Sequence, residues 1–307
     1  MLKSNQKFSN KYTTANGASR AFVNFIGLKT LWLNTGTLCN LTCKGCYIES
    51  SPTNDKLLYL SLKDVEHYIN EILINNKSCK TIGFTGGEPF MNKDIIEILE
   101  LCLVKGFDVL VLTNAMQPMQ NKINNLKKLS KFKKLKLRVS LDHFCMSEHE
   151  KIRGKKTWNK ALRGIELLIN NNFNLNIASR ILYKDEQLIR DGFAKLFKLH
   201  NFKMNANDPN DLVLFPEMDS KFNTPEITTE CWNLLSVESK NMMCSDSRMI
   251  VKRKEDKQTH VVACTLIPHE YRFSYGHILS NSFKKVYLNH PYCSKFCVLG
   301  GANCSNN

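Results

Sequence analysis

The stretch 39-CNLTCKGCYIES-50 holds three cysteines, Cys39, Cys43 and Cys46, spaced C-x3-C-x2-C with no histidine among them. The chain carries twelve cysteines, and its opening 22 residues lack the apolar core of an export signal. Clustered thiols in such a chain point to metal rather than to disulfides. A closed structural zinc site needs four protein ligands in a tetrahedron, and this loop supplies three. An iron-sulfur cube has four metal corners, each normally held by a cysteine thiolate. Three cysteines leave one iron open, and something other than protein should occupy it.

Outward from this loop, short β-rich runs alternate with amphipathic helical stretches. The run 30-TLWLNTG-36 leads directly into the cysteines. The segment 61-SLKDVEHYINEILINN-76 places Val65, Tyr68, Ile69, Ile72 and Leu73 at helical spacing, with Ser61 as N-cap. Strand 81-TIGFTGG-87 precedes the helix 92-NKDIIEILELCLVKG-106, closed by Gly106. Strand 107-FDVLVLTN-114 is followed by a helix over 120–131, and strand 135-LKLRVSLD-142 by the helix 157–172. The last units are strand 175-LNIASRIL-182, the helix 185–200 and strand 211-DLVLFP-216. Six such units predict an α/β fold, a partial (β/α)6 parallel barrel. Ligands gather at the carboxyl ends of such strands. The cysteine loop, the GGEP turn (86–89), Thr113-Asn114 and 140-SLD-142 all fall on that rim.

These residues resemble the radical S-adenosylmethionine (SAM) enzymes over about residues 30–216. The resemblance rests on CNLTCKGCY followed by 85-TGGEPF-90, with LTNA and the region 139–168 similar to the peptide-modifying and sulfatase-maturing branch. It implies that Cys39, Cys43 and Cys46 hold a 4Fe-4S cluster whose open iron is chelated by SAM. Reductive cleavage of SAM then gives a 5′-deoxyadenosyl radical that abstracts a substrate hydrogen atom. By the same resemblance Gly86, Gly87 and Glu88 bind the SAM ammonium, Thr113, Asn114, Ser140 and Asp142 hydrogen-bond ribose and methionine, and Arg180 meets the SAM carboxylate. Plainer readings stand beside these: a tight turn at Gly-Gly, a cap at Asp142, a structural salt bridge at Arg180. Cys79, Cys102 and Cys231 read as core thiols, and Cys145 as a thiol near the rim. No general base stands out, with Asp142, His143, Glu148 and His149 nearby.

After Pro216 the composition shifts, dividing the chain into an N-terminal extension (1–29), the barrel (30–216) and a small cysteine-rich α+β module (217–307). The run 247-SRMIVKRKEDKQTHVVACTL-266 reads as a hairpin that brings Cys244 and Cys264 to one end, and 290-HPYCSKFCVLGGANC-304 as a bent loop of thiols. Cys244, Cys264, Cys293, Cys297 and Cys304 are enough for one fully ligated cube. The module resembles the twitch form of the SPASM extension, which implies an auxiliary 4Fe-4S cluster. Thr259 stands where that pattern has glycine, and the tail spacing departs from C-x2-C. A zinc knuckle using His269, His277 or His290 is the alternative.

A net charge of +15 is read as a solvated basic surface, able to steer an acidic electron donor such as flavodoxin or ferredoxin, or an acidic substrate. Nucleic acid is not expected, since no recognition motif accompanies the lysines. No apolar run reaches 18 residues, so no membrane span is expected and the cytoplasm is the natural compartment. Two enzyme functions follow: oxidation or cross-linking of a peptide or protein side chain, or oxidation or rearrangement of a small molecule of a sugar or antibiotic pathway. The short stretch before the first strand leaves little room for a leader-peptide-binding domain. A metal-binding scaffold without SAM chemistry is the third reading.

Overall fold

The computed structural model describes residues 7–75, 78–181, 185–216 and 223–301. Strands in chain order are β1 (Phe22–Val23), β2 (Thr30–Asn34), β3 (Thr81–Thr85), β4 (Asp108–Thr113), β5 (Leu135–Ser140), β6 (Asn174–Ile181), β7 (Leu212–Pro216), β8 (Ser247–Lys252), β9 (Thr259–Val262) and β10 (Val286–Tyr287). The helices are α1 (Leu62–Asn75), α2 (Ile95–Val104), α3 (Gln117–Asn121), α4 (Ile123–Leu126), α5 (Met146–Arg153), α6 (Trp158–Asn170), α7 (Glu186–Leu199) and α8 (Cys231–Leu234). Strands β2 to β7 run parallel in sequence order with helices outside, the expected partial barrel.

Local chemistry sets the helix ends. Ser61 and Asp64 cap α1 reciprocally: Asp64 N donates to Ser61 Oγ at 3.2 Å, and Ser61 N donates to Asp64 Oδ2 at 2.8 Å. Its apolar stripe, Val65, Tyr68, Ile69 and Ile72, is buried against the sheet, each side chain contributing about 2 kcal/mol. Helix α2 stops in a Schellman turn, with Phe107 N on Cys102 O at 3.1 Å and Gly106 at φ +88°. The helix expected over 120–131 is broken into α3, α4 and a 3-10 turn (Lys127–Leu129). Asparagine and lysine make up most of that stretch, QNKINNLKKLSK, and only Ile123, Leu126 and Leu129 anchor it to the core. Helix α5 lies where no helix was predicted.

The hairpin β8–β9 is as expected, but its location is not local. Strand β8 pairs in parallel with β2, Thr30 opposite Ser247, so the sheet reads β7-β6-β5-β4-β3-β2-β8-β9. Strand alternation then divides the core. Leu31 and Leu33 face the helices, while Trp32 points inward and packs with Leu110, Met249, Val262 and Leu266 of a second cluster inside the sheet. Strands β1 and β10 form a separate antiparallel ribbon. The expected terminal loop is instead a π-helical turn, Cys293–Val298, with Leu299 N on Ser294 O at 2.9 Å. Among the described residues no helix is long and apolar enough to cross a membrane.

Candidate active site

Cys39, Cys43 and Cys46 line one cleft at the carboxyl end of the sheet, together with Gly86, Gly87, Thr113, Asn114, Ser140, Asp142 and Arg180. Of the residues expected to bind SAM, only Glu88 is absent from the cleft wall. Its carboxylate is turned inward and 1% exposed. There it accepts from Thr113 Oγ1 (2.8 Å), Asn114 N (2.8 Å) and Phe90 N (3.2 Å). Burial pushes its pKa up to about 7 against these hydrogen bonds. Glu88 therefore ties the turn after β3 to the end of β4, and the expectation that it offers a SAM-facing acceptor does not match its orientation.

The glycines serve the protein backbone as well as the cleft. A Cβ on Gly87 would lie 2.1 Å from Leu38 O, and one on Gly86, at φ +133°, 2.6 Å from Gly36 O. Gly87 N donates to Gly36 O (2.8 Å) and Glu88 N to Leu38 O (3.1 Å). The turn is thus pressed against the residues that lead into Cys39. Asn114 completes the contact, with Nδ2 2.9 Å from Asn40 Oδ1 and 3.9 Å from Cys39 Sγ.

A buried ion triad holds the other side of the loop. Asp142 accepts from Arg153 Nε at 2.7 Å and Arg180 Nε at 3.2 Å, and Arg180 Nη1 reaches Lys44 O at 3.3 Å. Burial acts to raise the Asp142 pKa, but the two guanidinium charges hold it below the usual carboxylate range. Arg153, which also lines the cleft, was missed in the sequence because the short polar helix α5 was missed. Its signal is the EKIRG segment, a basic last turn closed by Gly154 at φ +99°. Of the base candidates, Asp142 alone lines the cleft. His149 is buried against the Trp158 ring, 5.4 Å between centroids, and burial lowers its pKa to about 4. His143 Nδ1 accepts from Cys145 N at 2.9 Å, and Glu148 pairs with Lys151. Cys145 is exposed and forms no part of the cleft wall.

Cys244, Cys264, Cys293 and Cys297 line a second, apolar cavity, each 8% exposed. Cys244 precedes β8 and Cys264 follows β9, so this cavity lies toward the end of the sheet where β2 begins. Leu266 lines both spaces, and Phe296 of the π turn lines the cleft. Burial raises Cys244 to about 11 and Cys293 to about 12. None of the three histidines weighed for zinc reaches this cavity. His269 Nε2 contacts Ile48 O, His277 Nδ1 contacts Thr259 O and His290 Nδ1 accepts from Tyr292 N. Cys79 and Cys102 are core residues, Cys231 is half-buried, and Cys304 lies outside the described residues.

The family model of the Radical SAM superfamily matches residues 33–188, which span the cleft strands β2 to β6. The chain belongs to the radical SAM superfamily. Members of that superfamily use a 4Fe-4S cluster and SAM. The chain is 26% identical over 277 residues to AlbA of Bacillus subtilis (strain 168), an antilisterial bacteriocin subtilosin biosynthesis protein, covering 84% of this chain and 58% of AlbA. It therefore spans little more than half of that relative. YydG of the same organism, a putative peptide biosynthesis protein, is 33% identical over 79 residues, 24% of this chain and 23% of YydG. Among solved structures, Streptococcus suis SuiB bound to its precursor peptide SuiA matches with TM-score 0.62 at 12% identity, covering 84% of this chain and 65% of SuiB. Native anSMEcpe with bound AdoMet matches with TM-score 0.60 at 18% identity, covering 83% and 80%. These two likenesses establish the radical SAM fold.

Proposed function

We propose that this chain binds its SAM-cleaving cluster through Cys39, Cys43 and Cys46, an auxiliary 4Fe-4S cluster through Cys244, Cys264, Cys293 and Cys297, and oxidises or cross-links a peptide or protein side chain. The observation that carries the reading is two thiol-lined spaces, one with three cysteines and one with four, separated at Leu266. Among the described residues no three His, Cys, Asp or Glu converge on a single ion. With bonds of about 2.3 Å, one zinc would draw its thiolates to within about 4 Å of each other, whereas a cube spreads them over separate irons. Burial lifts Cys39 to about 12, so that thiol ionises only when a metal accepts its charge. The donor counts, three and four, match a cube with one open corner and a fully ligated cube.

When bound, the cluster and SAM supply a 5′-deoxyadenosyl radical for hydrogen abstraction. The chain's residues do the rest. Gly86 and Gly87 leave the cleft wall without side chains beside the thiols, Asn114 directs its amide toward Cys39, and Ser140 presents a hydroxyl. Arg153 and Arg180, held apart by Asp142, offer cationic groups for the SAM carboxylate. The apolar wall formed by Leu112, Phe215, Leu266 and Phe296 excludes water from the reacting centre. Four protein thiolates in the inner cavity leave no iron open to substrate, which favours electron acceptance over substrate anchoring there. The peptide assignment draws on AlbA and YydG, proteins of bacteriocin and peptide biosynthesis, and on SuiB, solved with a precursor peptide. GTP 3′,8-cyclase of Haemophilus influenzae (strain PittEE), named for a small-molecule substrate, is 26% identical over 48% of this chain, against 84% for AlbA. An acidic electron donor and a cytoplasmic setting complete the proposal.

The test is anaerobic reconstitution followed by dithionite, SAM and a candidate precursor peptide. Expected are about eight irons per chain, 5′-deoxyadenosine from the intact protein but not from a Cys39/Cys43/Cys46→Ala variant, and a peptide lighter by pairs of hydrogens. Zinc in place of iron with no deoxyadenosine would overturn the reading. Deoxyadenosine without any peptide change, across peptides encoded beside this gene, would move it to the small-molecule alternative.

A further inference from the structure

We propose that the lysines around the outer face of the cysteine loop form the docking surface for an acidic electron-transfer protein. The inference rests on the radical SAM reading above and names where its reductant binds. Cys39 is buried, but Thr42 and Lys44 are exposed and do not line the cleft, so the loop that carries the three thiols has an outer face in solvent. Lys44 N donates to Ile152 O at 2.8 Å. That bond joins the loop to the last turn of α5 and to the turn that follows it.

This surface carries a concentration of positive charge. Lys151, Lys155, Lys156 and Lys160 are exposed alongside Lys44. Of the acids nearby, Glu148 pairs with Lys151 Nζ at 2.6 Å, Glu49 with Lys56 Nζ at 3.4 Å, and Asp142 is buried between Arg153 and Arg180. Glu150, which accepts from Trp158 N at 3.2 Å, keeps its charge but is outnumbered by the lysines. Electron transfer weakens steeply with distance, and the cleft is the entry for SAM and substrate. A donor protein therefore approaches over the loop, where the lysines steer and orient an acidic partner. Each encounter oxidises the donor by one electron and reduces the enzyme by one, with no bond formed between the proteins.

A second lysine-rich segment provides the control. Lys127, Lys128 and Lys131 are exposed but precede β5, at the opposite end of the sheet from the cysteine loop. The experiment compares Lys155→Glu/Lys156→Glu/Lys160→Glu with Lys127→Glu/Lys128→Glu/Lys131→Glu, two reversals of equal size that both leave the cysteine loop untouched. Each is measured for flavodoxin affinity at low and high salt, and for deoxyadenosine formation driven by reduced flavodoxin or by dithionite. The first reversal should weaken flavodoxin binding and flavodoxin-driven turnover about tenfold at low salt, with the gap closing as salt screens the charges. Its dithionite-driven rate should stay within about twofold, and the control should lose neither. Equal binding by the two variants, or equal losses, overturns the docking surface. Should the triple variant lose iron or stability, Lys155→Glu/Lys156→Glu leaves α6 unsubstituted and carries the same expectation. Absence of dithionite-driven deoxyadenosine in the unsubstituted protein defeats the functional reading alone, because flavodoxin binding still decides the surface.

Discussion

Gly87 has no space for even a methyl group. The nearest atoms to its missing Cβ are Leu38 O at 2.1 Å, Leu38 C at 2.5 Å and Thr37 O at 2.8 Å, all backbone. Gly87→Ala must therefore displace the residues that set Cys39, and it should cost about 3 kcal/mol, the upper end for overpacking. Chemical unfolding of the apoprotein reads that loss, and a fall in iron bound by the cysteine loop should accompany it. An alanine variant with wild-type stability and iron would show that the turn is slack. Glu88, one residue on, makes a prediction about pH. Burial holds its folded pKa near about 7, against about 4.3 for an unfolded glutamate. Between those values the folded chain keeps a proton that the unfolded chain has lost, so this group's contribution is full below about pH 4 and declines as pH rises to about 7. The full decline amounts to about 4 kcal/mol. Glu88→Gln cannot ionise, so the stability of wild type minus variant should drop by about 2.5 kcal/mol between about pH 5 and pH 7.5, the part of the decline that falls in this window. A flat difference would mean that the carboxyl is already ionised in the fold.

At the scale of elements, the strands and long helices were legible because their signals are local: alternation or helical spacing of apolar residues, Ser61 before α1, Gly106 after α2. Helix α5 escaped because MSEHEKIR is short and polar, and it sits on the barrel through a buried ion triad rather than an apolar stripe. With it went Arg153. The inward turn of Glu88 was also invisible, since TGGEP does not say which way its carboxylate points. The π turn is a third case. HPYCSKFC suggests closely spaced thiols, but the Leu299 N to Ser294 O bond at 2.9 Å winds it into a helix that packs Phe296 against Phe215, 5.8 Å between centroids, and sets Ser294 Oγ on Pro225 O at 2.7 Å. That winding turns Cys293 and Cys297 toward Cys244 and Cys264. If this turn supplies half of the inner site's thiols, Cys293→Ala/Cys297→Ala should lower iron from about eight to about four per chain. SAM cleavage should survive, because Cys39, Cys43 and Cys46 are untouched, while conversion of substrate is lost. Full iron retention in this variant would remove the auxiliary cluster from the turn.

Over the whole molecule, the parallel pairing of β8 with β2 matters more than any boundary drawn from composition. The change in sequence character after Pro216 suggests a barrel that stands alone with a module attached, yet β2 has β3 on one side and β8 on the other. The interior agrees: Trp32 is fully buried in the same cluster as Met243, Met249, Val262 and Val298. Removing the C-terminal residues would open one edge of β2 and expose the apolar floor beneath the cleft. The fragment 1–216 should therefore fail to fold cooperatively, because burying a large aromatic and its neighbours contributes several kcal/mol, about the whole margin of a domain. The intact apoprotein should unfold in one transition shared by far-UV and near-UV circular dichroism. For the fragment, near-UV signal and a sigmoidal urea transition should both be absent, and reconstitution should leave it without specifically bound iron. A fragment that melts sharply and binds about four irons would show that the barrel is self-sufficient and that the shared sheet is only a docking contact. If the fragment fails as described, cluster binding at the rim depends on the hairpin paired along the other edge of β2, so the two thiol sites are built on one folding unit.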